Sequence, residues 1–163
     1  MSKKSEDAYR LAVEYEQKYG SCPQCVIAAV QDTIGCVSDD VFKSSHPLAG
    51  GGALCGDGTC GALNGGMLAI GAKFGRDKND FTSKKPQAFK LSRKLHDRFL
   101  LEYGTIFCSD VQEKLFGKSF NMWNVDEYRE FEEKGGHRDK CPFVAGNVAK
   151  WAVEILEEEE IRK

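Results

Sequence analysis

The sequence predicts an all-α fold, a compact bundle of about five to six helices with one Gly-rich loop. Three observations carry that reading. Apolar residues recur at three- and four-residue spacing, no stretch alternates apolar and polar residues at period two, and Gly or Pro stands where each helix would stop or start. The 163 residues are read as one domain, 1–163, whose cysteine core runs from about residue 20 to about 156. A chain of this length buries enough surface to fold without staples.

The first helix is expected over residues 5–19, with Ala8, Leu11, Ala12, Tyr15 and Tyr19 on one side and Gly20 as its stop. A second begins at Cys22-Pro23, carries Val26, Ile27, Ala29, Val30 and Ile34, and ends at Gly35. Residues 36–59 read as a long irregular connection around His46-Pro47 and Gly50-Gly51-Gly52, of the length that is often functional. The third helix, 60–74, is apolar nearly all round and belongs at the centre. Its Gly61, Gly65, Ala69 and Ala72 form a small-residue face that admits another backbone or a bulky inorganic group.

A fourth helix follows Lys84-Lys85-Pro86 and runs to Tyr103, with Phe89, Leu91, Leu95, Phe99 and Leu100 inward. Ser109-Asp110-Val111-Gln112 reads as a capping box opening a short fifth helix to Leu115 or Phe116. Between 118 and 140 a short helix around 126–134 is expected. The last helix starts at Cys141-Pro142 and continues through Leu156 into Glu157–Glu160, read as a solvated, frayed end.

Composition excludes several function classes. The formal charge of −2 with mixed signs lacks the basic concentration of a nucleic-acid binder. No window approaches about 18 uninterrupted apolar residues, so no membrane span is expected. The segment Met1–Asp7 lacks the apolar run of a secretory signal, and a reducing cytoplasm is the expected compartment. Seven cysteines are too few for a secreted disulfide scaffold and too odd a number to pair completely. No C-x-x-C-H haem attachment occurs, because Val26 follows Cys25.

Four cysteines, Cys22, Cys60, Cys108 and Cys141, fall at expected helix starts. A helix N-terminus offers unpaired N–H groups and a partial positive charge, both of which favour the thiolate that binds metals or attacks disulfides. Converged on one site, four such sulfurs suit an iron–sulfur cluster or a tetrahedral zinc. Cys25 and Cys55 are auxiliary or substitute ligands, through the Cys22/Cys25 C-x2-C and Cys55/Cys60 C-x4-C pairs. Cys36 reads as a small core residue.

Gly56-Asp57-Gly58-Thr59-Cys60-Gly61 matches G-x-G-x-x-G, but no strand precedes it and no βαβ unit surrounds it, so dinucleotide binding is set aside. Glycine density from residue 50 to 75 suits close approach to a cofactor, with Gly58, Gly61 and Gly65 as the contact points. His46 is a candidate fifth ligand or proton donor, and His96 reads as solvated.

Cys60-Gly61-Ala62-Leu63-Asn64-Gly65 matches CGAxxG. With Cys22, Cys108 and Cys141 it resembles the redox-active family named for its C-GCAxxG-C-C pattern, over roughly residues 8–156. That resemblance implies a compact helical protein, often encoded beside oxidoreductases or transporters, and a related domain in split-Soret cytochromes that carry haem with an iron–sulfur centre. This chain has no haem motif, so the iron–sulfur part alone carries over, and Cys25, Cys36 and Cys55 are additions to the pattern.

The leading expectation is a cytoplasmic iron–sulfur protein for one-electron transfer, with a two-iron or four-iron cluster on Cys22, Cys60, Cys108 and Cys141. It would serve a partner oxidoreductase as carrier or accessory rather than as a stand-alone enzyme, with a homodimer left open. A metal-free thiol–disulfide protein using Cys22 with Cys25 or a distant cysteine is the alternative, and structural zinc is a third reading.

Overall fold

The computed structural model describes residues 2–161, and among these all regular structure is helical. Eight α-helices appear: α1 (Lys3–Tyr19), α2 (Cys22–Ile34), α3 (Asp39–Ser45), α4 (Gly61–Phe74), α5 (Pro86–Tyr103), α6 (Cys108–Phe116), α7 (Val125–Glu133) and α8 (Cys141–Ile161). Five to six helices was therefore an undercount. The connection expected to be irregular holds α3 and a 3-10 turn, His46–Gly51. Such short helices carry too few turns for a periodic signal.

Helix α8 is the axis of the bundle, packing on α1, α2, α4 and α5. Ten of its residues are buried, from Pro142 to Leu156. Gly146 lets α1 close onto it, since a Cβ there would stand 2.7 Å from Val13 Cγ2 and 2.9 Å from Tyr9 Cδ2. Helix α4 lies against α2, α5 and α8, and buries Leu63, Ala69 and Ile70 completely, as its apolar surface requires.

In α5 the inward stripe is Leu91, Leu95, Phe99 and Tyr103. Phe89 and Leu100, expected inward, are exposed. Two residues of α-helix turn by roughly 200°, so Phe89 cannot share a face with Leu91. The capping box is also absent: Phe107 caps α6 without a side-chain bond.

The acidic end of α8 is not frayed. It stays helical to Ile161, and its carboxylates meet basic groups on α4 and α5: Arg98 lies 2.7 Å from Glu154 and 3.7 Å from Glu158, and Lys73 pairs with Glu160. These surface pairs fix position more than they stabilise. Among the described residues, no helix is long and apolar enough to cross a membrane.

Candidate functional site

The connection between α3 and α4 brings two of the cysteines together. Thr59 and Phe107 form an isolated antiparallel bridge, in which Cys60 N donates to Ile106 O at 2.7 Å and Cys108 N to Gly58 O at 2.9 Å. Ser109 N donates to Gly56 O at 2.8 Å, and Gly56 N to Gly50 O at 2.8 Å. The Gly-rich loop is thus bonded to the start of α6, which carries Cys108. Its glycines fit against protein: a Cβ on Gly58 would lie 2.1 Å from Gly51 O, and one on Gly51 would lie 3.0 Å from Cys108 Cβ.

Helix α2 delivers Cys22 to the same place. A Cβ on Gly61 would stand 2.5 Å from Cys22 Sγ, and one on Gly65 would stand 2.6 Å from Pro23 O. The small-residue face of α4 therefore receives a backbone, that of α2. Gly58, Gly61 and Gly65, expected as cofactor contacts, lie close against the chain itself at Gly51 O, Cys22 Sγ and Pro23 O.

Cys22, Cys108 and Cys141 are the first residues of α2, α6 and α8, and Cys60 caps α4. All four line one cavity of about 270 Å³. Glu16, Ser21, His46, His137, Tyr128 and Phe131 line it too. Cys25 and Cys55 do not. Cys25 is buried, with its thiol donating to Gly20 O at 2.9 Å. Cys55 is exposed, 3.6 Å from Ala53 O, and Cys36 is half-buried at the edge of the core. All seven thiols are free.

Burial decides the ionisation of the four thiols. It pushes Cys60 up to about 11 although the amides of Ala62 and Leu63 favour the thiolate, without closing a full capping hydrogen bond. It pushes Cys108 up to about 12, with Cys60 nearby adding to the rise. Cys22 and Cys141 are raised well above the usual thiol range by burial first, then by Glu16, Cys60 and Cys108. Helix starts were expected to stabilise thiolates, but desolvation outweighs a half-charge at the end of a helix.

Sequence reasoning missed three further residues of the cavity wall. Glu16 is 1% exposed, and its Oε2 has no hydrogen-bond partner. Burial raises its carboxyl above the ordinary range, against opposing effects of Cys25 and His137. The signal was legible: Ser5, Ala8, Ala12 and Glu16 form the buried stripe of α1, so a carboxylate occupies an apolar position. Ser21, in the left-handed region at φ 66°, also holds a buried unpartnered Oγ beside Cys22. Strain in a non-glycine residue, held by its surroundings, recurs at functional sites. His137 lies in a π-helical turn, Gly136–Lys140, which no periodic pattern announces.

The family described as "Putative redox-active protein (C_GCAxxG_C_C)" matches residues 20–155. The chain belongs to this family. Cys22, Cys60, Cys108 and Cys141, which meet at the cavity, all lie within the matched residues. Membership supports a redox role for the protein. No curated protein and no solved structure matches the chain.

Proposed function

We propose that the cavity holds an iron–sulfur cluster on Cys22, Cys60, Cys108 and Cys141, and that the protein exchanges single electrons with a partner oxidoreductase. The observation that carries this reading is the convergence of four thiols, from four separate helix starts, on one cavity of about 270 Å³. Four thiols on one cavity suit an iron–sulfur cluster or one tetrahedral metal, although among the described residues no group of three His, Cys, Asp or Glu side chains is placed to hold a metal ion.

When bound, such a cluster supplies one-electron oxidation and reduction. The chain's own residues do the rest. Amides of Ala62 and Leu63 face Cys60 and lower the cost of negative charge there, and Gln112 Nε2 stands 3.9 Å from Cys108 Sγ. Hydrogen bonds to ligating sulfur raise a cluster's potential. Ser21 Oγ is a further donor without a partner.

Metal-free thiol exchange is the weaker reading. It calls for a thiolate near neutral pH, whereas burial raises all four thiols. Cys25, the nearest resolving thiol in sequence, is not among the residues that line the cavity, and its thiol donates to Gly20 O. Anaerobic purification with iron and acid-labile sulfide analysis tests the proposal. A brown protein containing both, with binding lost in a Cys60→Ser variant, is expected. Colourless protein that takes up neither after reconstitution refutes it, and reversible loss of two thiols on mild oxidation establishes the thiol reading instead.

A further inference from the structure

The wall of the cavity contains a strained turn. Every residue from Gly50 to Leu54 has positive φ, and two of them, Ala53 at 49° and Leu54 at 59°, are not glycine. Such residues enter the left-handed region at a steric cost and persist there when their surroundings hold them. Leu54 lines the cavity, and its side chain folds back over the turn, so that a Cβ on Gly50 would stand 2.9 Å from Leu54 Cδ2. Bonds within the loop keep its shape: Ala53 N donates to Pro47 O at 2.7 Å, Leu54 N to Ala49 O at 3.1 Å and Cys55 N to Gly52 O at 2.9 Å. Gly52, whose Cβ position faces nothing within 4 Å, is a free pivot at one end. Gly56, bonded to Gly50 and Ser109, fixes the other.

A single side chain fastens this turn to a second segment of the wall. Trp123 Nε1 donates to Ala53 O at 2.8 Å, and among the described residues no other hydrogen bond joins the 46–55 loop to the segment 118–124. That segment is anchored on its own side. Phe120 N donates to the buried Gln112 Oε1 at 2.9 Å, the Phe120 ring packs on Phe116 and Phe131, and Asn124 caps α7. Between these anchors Met122 lines the cavity. Trp123 itself is 70% exposed, in a cleft shared with Ala53 and Leu54. Its hydrogen bond is exposed as well, so water can take the place of either partner and the contact breaks at small cost.

We propose that the turn 52–55 is a gate on the four-cysteine cavity, latched shut by the Trp123 indole, and that small solutes reach the four thiols when the turn swings away with Leu54. The inference goes beyond the cluster reading and does not depend on it, because it concerns how the cavity is reached, whatever group fills it. Closed, the turn holds two residues in a costly conformation against one exposed bond. Open, it releases both.

Labelling of the metal-free, reduced full chain with iodoacetamide near pH 8, resolved by peptide mass mapping, tests the gate. A Cys55→Ala background removes the thiol that the turn itself carries. Trp123→Phe keeps an aromatic ring but has no N–H. It is expected to speed Cys22, Cys60, Cys108 and Cys141 together, by roughly 2- to 10-fold for one lost hydrogen bond. Ala53→Gly keeps the backbone carbonyl and removes the cost of positive φ, so it favours the closed turn and is expected to slow the same four thiols. Cys25 and Cys36, which do not line the cavity, should label at unchanged rates in both variants. Melting followed by circular dichroism checks that each variant folds, and loss of folding in one leaves the other decisive. A cavity rate that either folded variant leaves unchanged, or moves the other way, overturns the gate. Equal acceleration of Cys25 and Cys36 overturns it too, since that marks general loosening.

Discussion

Substituting alanine for glycine at two positions of α4 should move stability in opposite directions. In both Gly65→Ala and Gly71→Ala, alanine gains roughly 0.8–1 kcal/mol of helix propensity. At Gly71 the added Cβ meets nothing within 4 Å, so that gain stands alone. For a domain of this length it raises the melting temperature by about 2–4 °C. At Gly65 the Cβ would sit 2.6 Å from Pro23 O, 2.9 Å from Pro23 Cα and 3.1 Å from Val26 Cβ. Two of these are backbone atoms that cannot rotate aside, so α2 must move as a body. Overpacking costs typically 1–3 kcal/mol, and a rigid neighbour places this case near the upper end. The net loss is about 2 kcal/mol, a fall of roughly 4–8 °C. Thermal unfolding of the metal-free protein under reducing conditions, followed by far-ultraviolet circular dichroism, measures both variants. Equal shifts, or a Gly65→Ala variant as stable as wild type, would show that α2 and α4 are not in close backbone contact and that Cys22 is positioned in some other way.

Two further outcomes follow from the ionisation of the site. Because burial raises the carboxyl of Glu16 in the folded protein, the unfolded chain releases this proton first as pH rises. Stability from this group is therefore complete below the unfolded value, about 4.3, and is lost as pH rises through the folded value, at no more than about 1.4 kcal/mol per pH unit. Chemical denaturation of wild type and Glu16→Gln from pH 4 to 8 should show the variant gaining relative stability across that range, and a constant difference would refute the assignment. Thiol labelling of the metal-free native protein near pH 8 should modify exposed Cys55 first, while Cys60 and Cys108, pushed up to about 11 and about 12, react far more slowly. Fast labelling of a cavity thiol, assigned by peptide mass mapping, would contradict the burial of the site.

Much of this architecture is written locally. The stops at Gly20, Gly35 and Gly104 and the prolines at 23, 86 and 142 mark helix ends that the structure keeps. The outlier in the heptad-like pattern of α1, Glu16, was also on the page, because an acid four residues from Ala12 belongs to the buried stripe. Tyr15 and Tyr19 obscured it by suggesting a neighbouring face. In the structure Tyr15 instead turns out to bond Asp32 at 2.6 Å. The π-turn bearing His137 and the short α3 had no comparable signal, since neither spans enough residues to show a period.

The sequence by itself determined the helical class and placed four cysteines at helix starts, because capping, proline and glycine preferences act within a few residues. Tertiary structure decided which sulfurs share a cavity. Cys60 meets Cys108 through amide bonds to Ile106 O and Gly58 O, and Cys22 approaches through a glycine face on α4. These contacts join residues far apart in the chain and leave no periodic trace. The same long-range packing reversed the expected ionisation, since a helix end acts on a thiol locally while desolvation depends on everything folded around it.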